Sequence, residues 1–482
     1  MAPTPMPRRH LARALAALVV SSLLVSVGIS ALTHTPTDSR TGTVESPADG
    51  PTVVGIQGFH FRGQGATKKP ARLISVGPKA SLHRSFDGSR VGAQWFYDVD
   101  PVGDNDILVS ATIPQGTVVV RFDRLTGKVV WSEQLPYHDT HDVDSLGDGK
   151  LLIANMRQYN ETTSVSNDRL LVYDRHEDEV VWEWLFHEHY PNSTDGGFAG
   201  DWTHVNDVDK VGDGLYLASP RNFDQVIVVN RSTGEIELRL GEDDTREILH
   251  RQHNPDLIRG PNGSVSVLVA DSENDRVVEY TRHCEDGKVG VVEADPEDCE
   301  WERTWTLAGG LNWPRDADRL PNGNTLVTDT LNHRVIEVTP EGRIVWEYYA
   351  TWGPYDAERI GTGDGSNGPP MVSIDAPKHA TLSNSVGVTP GTGDRQTFHG
   401  WLTETTAGTP LSGPVEKFAL RWAHVTPWLT PVWMTGWDFA RTILAMLVLL
   451  GWTTVETYYR RERLWDRVNN FAERVRAASD DW

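Results

Sequence analysis

Thr203 to Ser219 reads THVNDVDKVGDGLYLAS, and the same grammar recurs at WFYDVDPVGDNDILVS (from Trp95), DTHDVDSLGDGKLLIAN (from Asp139), HNPDLIRGPNGSVSVLVAD (from His253) and WPRDADRLPNGNTLVTD (from Trp313). Each stretch is a short strand, a tight Gly/Asp/Asn turn and a second apolar strand, the signature of a hairpin. Each is followed by another strand pair around its own turn, such as VIVVNRSTGEIELRL or RVIEVTPEGRIVWEYY. Four strands per unit, repeated at this period, predict an all-β fold, a β-propeller. A β-sandwich also gives many short strands, but it does not repeat one turn chemistry and one Trp-ending strand. A further hairpin, ARLISVGPKASLHRSF from Ala71, reads as the outer pair of one more blade. About six four-stranded blades are expected, with the ring closed by pairing of the N- and C-terminal segments.

Asp98, Asp142, Asp207, Asp256 and Asp316 serve as equivalent anchors of the five openings. The positions one and three residues before them hold Trp95/Tyr97, Asp139/His141, His204/Asn206, His253/Pro255 and Trp313/Arg315. Residues two apart on a strand share a face, so three histidines and an arginine are expected to converge on the propeller axis. A single buried histidine is most often a hydrogen-bonded structural residue. Three at matching register with an arginine have no packing reason to recur around an axis. Arg221, in SPRN after the second strand of its blade, is placed to reach the same mouth, and Asn206 and Asp139 add polar groups. Imidazole supplies a nucleophile, a base or a metal ligand, and arginine a planar fork for oxyanions.

Both ends of the chain read as membrane segments. Ala14 to Leu32 is an apolar run without charge, preceded by Arg8, Arg9 and Arg13. It fits either a spanning helix with a cytoplasmic N-terminus or a cleaved signal peptide. Near the other end, TILAMLVLLGWTTV (Thr442 to Val455) reaches spanning length if Trp433, Met434 and Trp437 join it, with Asp438 and Arg441 neutralising each other. Tyr458, Tyr459 and the arginines beyond them suit a cytoplasmic rim. Leu464, Val468, Phe471 and Val475 continue as a helical stripe. The expected organisation is therefore 1–13 cytoplasmic, 14–32 span or signal, 33–70 stalk, 71–358 propeller, 359–427 a Gly/Pro/Thr-rich outer segment, 428–457 span and 458–482 a cytoplasmic amphipathic helix. The propeller is expected on the extracellular side of the cell membrane.

The formal net charge of −22, with lysine scarce among the basic residues, describes a strongly acidic surface that stays hydrated where salt screens its self-repulsion. It resembles the composition of halophile proteins and disfavours a nucleic-acid partner, which needs clustered positive charge. Four N-x-Ser/Thr sequons, at Asn160, Asn192, Asn230 and Asn262, lie within the propeller. Cys284 and Cys299, the only cysteines, flank an insertion in one outer hairpin and are expected to close it as a disulfide.

The stretch DWTHVNDVDKVGDGLYLASPRNFDQVIVVNRSTGEIELRLG (from Asp201), with RQHNPDLI (from Arg251) and VLVADSENDRV (from Val267), resembles the aryl-sulfate sulfotransferases. In that family a propeller channel holds a histidine that accepts a sulfuryl group from an aryl sulfate and passes it to a phenolic or hydroxyl acceptor. The resemblance implies that His253 is the nucleophile. It implies that His204 and Arg221 bind sulfate and stabilise transferred charge, with His141 the remaining channel histidine. No organic cofactor and no metal is implied. Arg315 and Asn206 enter as substrate-binding residues on the register argument alone. The bacterial members carry an additional N-terminal sandwich domain, for which there is no room between Leu32 and Ala71. VADSENDRVVEY and VTDTLNHRVIEV also resemble NHL-type repeats, in which D-x-x-N-x-R-V is a turn motif, so Arg276 and Arg334 are expected to staple blades. Two other readings stand beside the transferase: a non-catalytic NHL-like scaffold that binds a glycan or protein, and a zinc site on the three histidines.

Overall fold

The apolar strands alternate with Gly- and Asp-rich turns that cannot continue a helix, so the chain between the two end segments folds as sheet. The computed structural model describes residues 8–33, 43–61, 64–65, 69–103, 105–287, 290–292, 298–383, 397–431 and 433–479. They form two units: the helical ends (Met1–Pro36 with Leu429–Trp482) and the body between, Thr37–Trp428.

The body is a six-bladed β-propeller. Blade I runs Trp95–Val102, Asp106–Ile113, Gly116–Asp123 and Lys128–Leu135, and blades II to V begin with the inner strands Val143–Gly147, Val205–Gly212, His253–Arg259 and Asp316–Arg319. Blade VI closes the ring. Its inner strand Pro354–Arg359 pairs antiparallel with Thr52–Ile56, which continues into Arg72–Val76 and Leu82–Asp87. The expected closure is therefore present, and TVVGI lies inside the propeller although its neighbourhood reads as stalk. Its five residues are all buried, and an apolar strand is what an open ring lacks.

Adjacent blades bury their apolar faces against each other. Between blades II and III, Leu152, Val172, Trp184, Trp202, Ala218 and Phe223 share one dry cluster, and burial of this kind is the main driving force for stacking. The D-x-x-N-x-R turns act as staples. Asp271 holds Arg276 (2.6 Å) and Asn274 (2.8 Å), and Arg276 donates on to Ile248 O at 3.1 Å. Asp329, Asn332 and Arg334 repeat the arrangement one blade later. Two fully internal ion pairs also join neighbouring blades, Arg319–Glu279 (3.0 Å) and Arg359–Glu337 (2.8 Å). Each arginine lies over the ring of a Trp-ending strand, Trp305 or Trp346.

Cys284 and Cys299 are disulfide-bonded across the open end of blade IV. The segment expected as a composition-biased outer stretch contains regular structure among its described residues. His379–Thr381 adds in parallel to the last strand of blade IV, and Phe398–Thr406 and Ser412–Leu429 are helices. A helix forms there because KFALRWAHV is free of Gly and rich in good helix formers.

In the helical unit, Arg8–Thr33 and the single helix Gly436–Ser479 pair antiparallel. Arg13 Nε lies 2.6 Å from Glu456 Oε1, and Ser30 Oγ donates to Asp438 Oδ1 at 3.2 Å. Arg9–Thr33 and Gly436–Arg461 are each long and apolar enough to cross a membrane. The second helix starts at Gly436 rather than near 428, because Thr435 caps it: its hydroxyl accepts from Asp438 N–H at 3.2 Å and donates to Asp438 Oδ2 at 2.8 Å. Asp438 also pairs with Arg441 at 3.2 Å. The side chains of the 464–475 stripe lie outside the described residues.

Candidate active site

The inner strands do not deliver their site residues by plain alternation. In blades I, III and IV one extra residue is inserted just before or at the anchor aspartate: Phe96 pairs with Ala111 but Val99 with Val109, Val205 with Pro220 but Val208 with Ala218, and His253 with Ala270 but Asp256 with Leu268. Such bulges re-aim side chains. The strand openings are also held in the left-handed region at Asp139 (φ 58°), His204 (φ 41°), Asn254 (φ 37°) and Trp313 (φ 52°). Each costs roughly 1–3 kcal/mol and persists only where the surroundings impose it. The period-two argument is thus corrected in its geometry.

His141, His204, His253 and Arg315 are all buried and near one another. The rings of His141 and His204 are 5.0 Å apart, and His253 lies 5.7 Å from Trp313 and 6.1 Å from Tyr355, centroid to centroid. His253 Nδ1 is 2.8 Å from Ser272 Oγ, and the Ser272 hydroxyl donates to Pro314 O at 2.6 Å. The serine proton is thereby committed, so Nδ1 carries the histidine proton and Nε2 keeps a free lone pair. That Nε2 is buried with no hydrogen-bond partner. Burial, then Arg315 and Arg221, holds the ring well below the ordinary imidazole range, so it is neutral at pH 7.

Arg315 packs its guanidinium over Trp313 (4.4 Å) and Tyr355 (4.7 Å), and its Nε and Nη1 are buried without a hydrogen-bond partner. Arg221 rests its Nε and Nη2 on Asn222 Oδ1. Burial, with Arg251 adding to it, pushes its guanidinium down to about 10, which still leaves it cationic. His204 Nδ1 is 2.9 Å from both oxygens of Asp201, so it donates there and leaves Nε2 as acceptor. Burial pushes its ring down to about 3, against the opposing pull of Asp201. His141 is stacked on Tyr97 at 4.1 Å, and its Nδ1 lies 3.0 Å from the Tyr355 hydroxyl. Asp139 stands 3.6 Å from Nε2 and favours the proton there, so Nδ1 accepts from Tyr355. Arg157 bridges Asp139 (2.9 Å) and Asp201 (3.1 Å) behind the two rings. Asn206 is fully buried; its Nδ2 donates to Gln252 O at 2.9 Å, and its Oδ1 has no hydrogen-bond partner.

Five members of this cluster were not singled out from sequence: Tyr355, Tyr97, Asp201, Arg157 and Ser272. Tyr355 had a readable signal, because Tyr355–Asp356 repeats the Tyr97–Asp98 pair one position before an anchor. Zinc on the three histidines is not what the geometry builds. Among the described residues, their ring nitrogens do not gather within 4.8 Å of one another as a ligand set.

The arylsulfotransferase (ASST) family model matches residues 93–248. The match takes in His141, His204 and Arg221 and stops five residues before His253. It supports an aryl sulfotransferase activity in general. No curated protein matches this chain. Among solved structures, similar chains include a protein of unknown function from Bacteroides caccae, at 14% identity and TM-score 0.43, covering 65% of this chain and 98% of that one. A catalytically inactive virginiamycin B lyase from Staphylococcus aureus aligns at 9% identity and TM-score 0.37, covering 64% and 88%. A putative 6-phosphogluconolactonase from Bacteroides fragilis aligns at 12% and 0.39, covering 67% and 99%.

Proposed function

We propose that this protein moves a sulfuryl group from an aryl sulfate to a phenolic or hydroxyl acceptor through a sulfo-histidine on His253. The observation that carries the reading is the buried, partnerless Nε2 of His253 in a cluster with two partnerless guanidinium nitrogens of Arg315. Nε2 attacks sulfur, an N–S bond forms and the S–O bond breaks. The phenoxide departs with the electron pair and takes a proton from water. Ser272 holds Nδ1–H throughout, so the sulfo-imidazole carries a positive ring and is a reactive donor. In the second half, the acceptor oxygen attacks sulfur, its proton passes to His204 Nε2, and the N–S bond breaks back to neutral His253. One proton is taken up and one released, so the exchange balances. Arg315 and Arg221 hold sulfonate oxygens, with His141 and Asn206 lining the site, in a pocket where fixed charge stabilises the transition state strongly.

The test is incubation of the purified protein, in high salt and with chelator, with a chromogenic phenyl sulfate and a phenol acceptor. Acceptor-dependent release of the phenol is expected; no release from folded protein would favour the scaffold reading.

A nucleophile already neutral at pH 7 predicts an unusual acid limb. For an imidazole held well below the ordinary range, the reactive form persists as pH falls, so kcat/KM for the donor should pass through about 6.5 without the halving an ordinary imidazole would give. A break near the ordinary value, measured with a donor that does not itself titrate there, would refute the buried-nucleophile reading.

We further propose that both apolar helices span the cell membrane, with the chain ends inside and the propeller outside. Arginines at the outer ends of both runs support this orientation. Protease added to sealed cells should remove the propeller and spare a tag placed after Trp482. Digestion of that tag would overturn it.

A further inference from the structure

Below the histidine cluster the axis is lined by carboxylates. Asp98, Asp142, Asp207, Asp316 and Asp356 are all buried, one from each of five blades, and Asp256 of the remaining blade accepts from Ser366. Two residues further along the same strands stand Asp100, Asp144, Asp209, Asp318 and Glu358. Part of this ring has a structural use. Asp142 accepts from Val208 N–H, Asp356 from Val99 N–H at 2.7 Å, and Asp316 from Ala357 N–H at 3.2 Å, each the amide following the anchor of the next blade. These bonds clasp blade to blade.

They do not account for the rest. Asp98 is 8% exposed and Asp100 6%, and one oxygen of each is buried with no hydrogen-bond partner; Asp207, Asp318 and Glu358 each have such an oxygen too. Among the described residues, no cationic side chain lies within ion-pair distance of these five. Burial, then mutual repulsion, raises Asp98 well above the usual carboxylate range, and Asp142 is raised to about 7, chiefly by burial. Oxygens of Asp98, Asp100 and Asp142 lie within 4.8 Å of one another, and so do those of Asp100, Asp144 and Asp364. The two sets share Asp100. A cavity of 320 Å³ lined in part by Asp209, Asp256, Asp364 and Ser366 opens beside them. All donors are carboxylate oxygens, which suit a hard cation with many ligands and disfavour zinc or copper.

We propose that the axial channel holds a hard divalent cation of the calcium type on Asp98, Asp100 and Asp142, reached past Asp144 and Asp364. The ion offsets the repulsion of inner strands that the ring brings together. This site is separate from the transfer chemistry and does not depend on it.

The test uses the full chain in detergent, stripped with chelator, exchanged into fixed potassium chloride and titrated with calcium chloride by calorimetry. Saturable binding of about one ion per chain is expected, together with a rise of several degrees in Tm. Magnesium should give a smaller shift because it surrenders its water reluctantly. Asp100→Asn should weaken calcium binding at least tenfold, while Asp213→Asn, at an exposed turn, should leave it unchanged. If Asp100→Asn does not fold, Asp98→Asn, which likewise alters an oxygen with no hydrogen-bond partner, provides the same comparison. Absence of calcium binding, with a Tm indifferent to calcium, would mean that the carboxylates share protons only, and the proposal would fall. Wild-type affinity in a folded variant of a proposed ligand, Asp100→Asn or Asp98→Asn, would place the ion elsewhere and overturn it equally.

Discussion

Replacing His253 with alanine is expected to abolish sulfuryl transfer while leaving the propeller folded. The side chain touches Ser272 through Nδ1 and nothing through Nε2. Its removal leaves the Ser272–Pro314 bond in place, so the structural loss is a small polar cavity. The chemical loss is the only atom in the proposed scheme that can bond to sulfur. Intact-mass measurement of wild-type protein quenched with donor alone should show one added sulfuryl group, labile in acid. His253→Ala should show none and should unfold within a few degrees of wild type. An adduct on the variant would move the nucleophile to His141.

The second large effect is expected at Arg315→Lys. The charge survives this change, but two properties do not. An ammonium cannot lie flat between Trp313 and Tyr355, and it cannot present the two edge nitrogens that are left without partners. Removing a donor aimed at developing oxyanion charge lowers rates by about 10²–10³, and kcat/KM for the donor should fall by that order. A packing role alone would lower Tm and leave kcat/KM of the remaining folded protein near wild type, so measuring both separates the two.

The fold was open to reading because each blade repeats one anchor aspartate, one turn and one closing Trp, and such a repeat survives local irregularity. His141, His204, His253 and Arg315 could be picked out by counting back from Asp142, Asp207, Asp256 and Asp316, although bulges break the alternation that justified the count. The misses have physical causes. Ser272 sits in DSENDR, whose turn role masks a second use of one hydroxyl. Arg157 enters from a long loop of blade II, where no periodicity marks direction. Asp201 acts through a loop three residues before His204. TVVGI was lost in a Pro- and Thr-rich neighbourhood, and Tyr355 was lost because its strand stands apart from the other three of its blade by most of the chain.

That separation sets an order of events during synthesis. Thr52–Ile56 leaves the ribosome some three hundred residues before Pro354–Arg359, the strand it must pair with. Until then its inner edge is unpaired, and an exposed edge invites wrong partners. The late strand also delivers Tyr355, which holds His141 and flanks Arg315. A nascent or truncated chain that has built five blades therefore has its histidines but not their final arrangement. The final arrangement of the histidine cluster and ring closure arrive with the same six residues, so an immature chain is expected to be inert as well as open.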